Sequence, residues 1–162
     1  MTNLGGNALL MRELNTNLVR RTLKTLRQAT RHQIAEATGL STVTIASILQ
    51  KLVAEHVAFE VGLVASMGGR PAQQFRFNEN HAHVLVLFTH EQAGLDMLYI
   101  RVANLFGVSL YALETPLTDI HLRSFEPYID AALQEYPTIQ ALGFGLPGIE
   151  REGQIIFAAY PS

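Results

Sequence analysis

Cysteine is absent from the 162 residues. Its absence excludes disulfides, thiolate metal centres and a cysteine nucleophile. No apolar run approaches the roughly 18–20 residues that span a bilayer. Met1 to Arg12 has neither a basic start nor a long hydrophobic stretch. No secretory signal is read there, and a soluble cytoplasmic protein is the expectation. Only 16% of residues are charged against 48% hydrophobic, which argues against disorder and leaves material for a core. The length suits one medium domain or two small ones.

The net charge of −2 hides a split. Met1 to Arg76 holds nine Lys and Arg against four Glu, whereas Phe77 to Ser162 holds three Arg against ten Asp and Glu. A basic first half and an acidic second half suggest two modules, the first aimed at a polyanion. The alternative is a drift of charge along a single domain.

In the basic half, the spacing predicts a helix over about Leu14 to Gln28, with Leu18, Val19, Thr22, Leu23 and Leu26 as its buried stripe. Arg20, Arg21, Lys24 and Arg27 give it a basic outer face, read either as non-specific attraction or as a solvated surface. Thr30-Arg31-His32-Gln33 has the form of a capping box and opens a second helix, stopped by Gly39. Ser41 offers the next N-cap, and a third helix is predicted from Thr42 to about Glu55, with Ile45, Ile48, Leu49, Leu52 and Val53 inward. Two short helices joined by Thr38-Gly39-Leu40-Ser41 form a helix-turn-helix candidate, with an ordinary helical hairpin as the alternative. Strand-like runs at Val57 to Val61 and Gln73 to Phe77 flank Ser66-Met67-Gly68-Gly69-Arg70-Pro71, read as a flexible turn with one cation. A β-hairpin in that place is a wing, whose basic tip lies by the minor groove while the third helix enters the major groove.

Three motifs in this order, Thr30 to Ala35, Thr38 to Ser41 and Gly68-Gly69-Arg70-Pro71-Ala72, resemble the amino-terminal domain of ROK-family repressors. The resemblance implies a winged helix joined to a sugar-kinase-like domain, in a regulator that answers to a sugar. The second half reads as strands at His83 to Thr89, Leu95 to Ala103 and Val108 to Leu113, then a helix from Phe125 to Tyr136. That helix carries Tyr128, Ile129, Ala132 and Leu133 on one side; a strand at Ala141 to Gly145 and another at Gln154 to Phe157 complete the pattern. This order is similar to the first part of the family's actin-like, ribonuclease-H-like lobe. Gly143-Phe144-Gly145-Leu146-Pro147-Gly148 resembles the family's segment near the sugar cleft. Gly145, Pro147 and Gly148 are thereby candidate remnants of a sugar site; alone, the cluster marks a strand-to-loop transition.

The expected fold is therefore α+β, a winged helix-turn-helix over residues 1–78 followed by a partial actin-like, ribonuclease-H-like lobe over 79–162. Three departures limit what the resemblance implies. The family's kinases carry a glycine-rich phosphate loop where this chain has Phe88-Thr89-His90-Glu91-Gln92-Ala93-Gly94, with one glycine and a repelling Glu91. ATP binding is not expected. The family's catalytic Asp, sugar-binding Glu and His, and zinc motif fall beyond Ser162, so neither kinase activity nor any cofactor is expected. Whether the chain is a portion of a longer repressor or a short natural protein stays open; a portion would expose apolar surface and self-associate. Lastly, the third helix has few cations, which shifts weight to Arg31 and the wing.

Thr42, Val43 and Ser47 are the candidates for base edges, against the alternative of a plain solvent face. Thr30, Arg31, Ser41, Thr44 and Lys51 are the phosphate candidates, Thr30 and Ser41 being caps in any case. Gly69 and Arg70 form the wing tip. His81 and His83 suggest a metal pair but lack a third ligand, so no metal site is expected. His32 is read as a polar helix residue, and Asp96, Asp119 and Asp130 are assigned no chemistry. The predicted partners are a double-stranded DNA operator and a second copy of the chain, with a sugar effector only if the remaining lobe is supplied and no membrane. A protein-interaction module and a degenerate sugar kinase are the rival functions.

Overall fold

A computed structural model of the chain describes residues 4–66, 69–118, 122–145, 149–151 and 154–156. It is a mixed α+β structure that divides into two compact units, Met1–Glu79 and Asn80–Ser162.

The first unit contains α1 (Leu4–Leu26), β1 (Gln28–Thr30), α2 (Arg31–Thr38), α3 (Thr42–Ala54), β2 (Ala58–Ser66) and β3 (Gly69–Phe77). Val19 and Leu23 of α1 are fully buried, as are Ile34 of α2 and Ile45 and Leu49 of α3. Phe75 and Phe77 of β3 face the same core, each at most 2% exposed. Burying such side chains is worth about 1.5–3 kcal/mol each, so this cluster supplies much of the unit's cohesion. The helix α1 begins ten residues before the expected Leu14, and Leu18 and Leu26 lie exposed rather than in its buried stripe. Val19 and Leu23, four apart, carry its packing.

The three strands form an antiparallel sheet in the order β1-β3-β2. Strand β1 was not expected; it pairs Gln28 with Arg76 and Ala29 with Phe75. Strands β2 and β3 are longer than predicted, and Ser66 pairs with Gly69. Ser66, Gly69, Arg70 and Pro71, expected in the flexible turn, belong to the backbone of β2 and β3 instead, and Met67 and Gly68 lie outside the described residues. Gly62, at φ +114°, ends a bulge in β2: the register shifts between Glu60, opposite Phe75, and Gly62, opposite Gln74.

The second unit contains β4 (His83–Gln92), β5 (Leu95–Asn104), β6 (Ser109–Pro116), α4 (Leu122–Glu135), β7 (Ile139–Gly145), β8 (Ile149–Arg151) and β9 (Gln154–Ile156). Its main sheet has the order β6-β5-β4-β7, with β4 and β7 parallel and the other pairs antiparallel. Parallel neighbours need a crossover, and α4 is part of it. Phe125 and Ala132 of α4 pack on Leu85, Leu87, Leu98, Ile100 and Val102. Leu133, expected on that side of the helix, is 44% exposed. The short strands β8 and β9 form a separate hairpin.

Asn104 organises the turn into β6. Its buried Oδ1 accepts hydrogen bonds from the Phe106 and Val108 amides, both at 3.0 Å, while Nδ2 donates to Asn80. His83 is buried and pairs through Nδ1 with the Thr138 hydroxyl at 2.6 Å. His81 lies in the bend before β4, so the two histidines do not share a strand face.

Candidate nucleic-acid interface

The local chemistry of α2 and α3 sets the geometry of the basic unit. Thr30 is extended at φ −82° and caps α2. Its hydroxyl accepts the Gln33 amide at 3.3 Å, and the Gln33 side chain accepts the Thr30 amide at 2.8 Å. This reciprocal pair satisfies two backbone donors that the helix leaves open. At the other end Gly39 is left-handed at φ +71°, and its amide donates to the Ala35 carbonyl at 2.8 Å. The Thr38 hydroxyl donates to the Ile34 carbonyl and accepts the Leu40 amide. These contacts turn the chain within three residues, and the two helices meet at a bend of 114°. That lies within the roughly 90–120° of helix-turn-helix pairs.

Ser41 caps α3, accepting the Thr44 amide at 3.1 Å; the two hydroxyls are 2.9 Å apart. Inward, Ile45, Ile48, Leu49 and Leu52 are buried. Outward stand Thr42, Val43, Ser47 and Gln50, all exposed, with Val43 at 78%. Gln50 was not singled out from the sequence. The signal was its spacing, seven residues after Val43 and three after Ser47, which returns it to the same helix face.

The phosphate candidates fare differently. Arg31 begins α2, is exposed, and sets its guanidinium 5.5 Å from the ring centre of Phe75. Stacking leaves its N–H edge available for an anion. Lys51 lies 3.8 Å from Glu55, and Glu13, Arg20, Lys51 and Glu55 line one shallow cleft between α1 and α3. Mixed signs cancel much of the field there. Thr30, Ser41 and Thr44 spend their hydroxyls on caps, although their helix termini still present backbone N–H groups. Gly69 and Arg70 adjoin the hairpin turn by backbone, and Arg76 on the same strand stands 5.7 Å from the ring centre of Phe59. His32 lies 3.6 Å from Glu36 on the exposed face of α2.

In the second unit, Gly145 closes β7, and a Cβ there would meet the Phe88 Cβ at 3.1 Å. Close strand packing is therefore one reason for glycine at this position. Pro147 and Gly148 lie outside the described residues. The stretch aligned with a phosphate loop continues β4 as regular sheet, Glu91 opposite Asp96 and Gln92 opposite Leu95, before a tight turn at Ala93 and Gly94. Among the described residues no group of three His, Asp or Glu is placed to hold a metal ion, and no single helix is long and apolar enough to cross a membrane.

No protein-family model matches the chain. In fold it is similar to a solved ROK-family transcriptional regulator, a homologue of the E. coli MLC protein, with a TM-score of 0.56 at 18% identity, over 85% of this chain and 36% of that one. In sequence it is similar to the xylose repressor of Caldicellulosiruptor bescii, 23% identical over 95% of this chain and 40% of the repressor. A second protein named for that role, from Caldicellulosiruptor sp., is 23% identical over 94% of the chain and 40% of its own length. The chain thus resembles ROK-family repressors in sequence and in fold, and spans about two fifths of the length of the curated relatives it matches.

Proposed function

We propose that this chain is a DNA-binding transcriptional repressor of the ROK type, acting on genes of sugar metabolism. The observation that carries the reading is the α2–α3 pair. Two capped helices meet at 114°, the second exposes Thr42, Val43 and Ser47, and a β-hairpin follows. In this reading residues 1–78 are a winged helix-turn-helix, α3 is the recognition helix, Arg31 contacts phosphates, and the Gly69-Arg70 wing tip lies by the minor groove. Residues 79–162 are the beginning of a ribonuclease-H-like effector lobe. The protein works in the cytoplasm, where its operator is.

A homodimer on a two-fold symmetric operator fits this role, because two half-sites supply the affinity that one small module lacks. Leu10, Leu14 and Leu18 of α1 support self-association: they recur every four residues and are 53%, 53% and 41% exposed. No catalysis is assigned. The regular β4–β5 hairpin favours this over a sugar kinase, since it leaves no glycine-rich loop to approach phosphates. The relatives named for xylose make D-xylose the first effector to try. The reading expects no competent response to it from these 162 residues alone. A rise in melting temperature with D-xylose would contradict that.

The test is selection of binding sites from a random duplex library at near-physiological salt. Enrichment of a two-fold symmetric site supports the regulator, and its loss in Arg70→Ala locates the wing. A second reading, a protein-interaction module, draws on the exposed Phe59, Val61 and Leu63 of β2. It predicts no enriched site and an affinity for DNA that salt barely changes.

A further inference from the structure

Resting on the DNA-binding reading, we infer that the outward stripe of α3 reads A·T base pairs in the major groove, Val43 against a thymine methyl and Gln50 against an adenine. Val43, Ser47 and Gln50 fall within roughly 60° of one another around a helix of 3.6 residues per turn. All three are exposed, and Val43, at 78%, is the most exposed large hydrophobic residue among those described. A single exposed valine is unremarkable on a protein surface. One in line with an exposed glutamine, on the free face of the second helix of a helix-turn-helix, has two complementary partners in the groove. An isopropyl group suits the C5-methyl of thymine, and a carboxamide can bond adenine N6 and N7 together.

The same stripe argues against guanine, whose preferred reader is arginine or lysine. Neither stands among Val43, Ser47 and Gln50, and the adjacent Lys51 is drawn toward Glu55. Ser41 and Thr44 are occupied with each other at the cap. Ser47 is left as a short group that accepts either base and discriminates little.

The experiment uses the full chain with duplexes enriched from the random library, resynthesised with deoxyuridine for each thymidine in turn, or 7-deazaadenine for each adenine. At one position per half-site, loss of the methyl weakens wild-type binding about fourfold, the equivalent of burying one methyl group. Val43→Ala is insensitive to the same change. Loss of adenine N7 weakens the wild type about tenfold, and Gln50→Ala no longer senses it. Both side chains are exposed, so the variants should match the wild type in unfolding midpoint. Wild-type binding indifferent to both base changes, or the same sensitivity in variant and wild type, overturns the inference while leaving DNA binding intact. Failure to enrich any duplex removes the DNA-binding reading and this inference with it.

Discussion

The hydroxyls of Ser41 and Thr44 lie 2.9 Å apart, and the Ser41 oxygen also accepts the Thr44 amide. One short contact thus fixes where α3 begins and which residues it projects outward. Ser41→Ala should cost about 1 kcal/mol of stability, the ordinary effect of losing an N-cap. It should also lower affinity for duplex DNA, since the first turn of α3 carries Thr42 and Val43. Chemical denaturation and a binding titration on the same preparation check both. Unchanged affinity would detach the cap from the interface.

Arg31 has two roles that separate on measurement. Its stacking over Phe75 should be worth about 0.5–1 kcal/mol at an exposed site. Its phosphate contact should appear as a fall of about one unit in the slope of log K against log salt when Arg31→Ala is compared with wild type. A stability loss with no change of slope would leave Arg31 as a packing residue only.

Three residues other than glycine sit at positive φ, all of them exposed: Arg27 at +62° between α1 and β1, His56 at +56° just past α3, and Ala93 at +53° in the β4–β5 turn. Side chains bearing a Cβ are disfavoured there by roughly 1 kcal/mol. His56→Gly should therefore stabilise the first unit, and Ala93→Gly the second, by about 0.5–1 kcal/mol each, since glycine is the ordinary occupant of such positions. Thermal melts of the two variants, read beside the wild type, decide this.

Gly145 tests packing against ligand contact. Its Cβ would be 3.1 Å from that of Phe88, so Gly145→Ala should force β7 from β4 and cost about 1 kcal/mol or more. A variant as stable as the wild type would remove the packing reason and return weight to the sugar-site alternative.

Much of the basic unit was legible because its signals are local. Thr30 with Gln33, Gly39, and Ser41 each act within four residues, and the structure places the helix ends where those residues predicted. The early start of α1 was not legible. Gly5, Gly6 and Asn7 are poor helix formers, but extension from an existing helix costs far less than nucleation. Strand β1 is not legible because three residues carry no periodicity; it exists through pairing with the distant β3, Gln28 opposite Arg76 and Thr30 opposite Gln74. The exposure of Leu18, Leu26 and Leu133 was hidden for a similar reason. Helical spacing names a face, but only tertiary packing sets how wide a strip of it is covered. Gln50 shares the face of Val43 and Ser47 by spacing, but spacing alone does not separate a polar residue that faces a partner from one on a plain solvated face.

The most direct test of the central claim is the salt dependence of binding between the 162-residue chain and an enriched duplex. A regulator that neutralises about four or more phosphates should lose at least about a hundredfold in affinity between roughly 50 and 200 mM salt. An affinity that stays flat across that range would contradict a DNA-binding role for the α2–α3 unit.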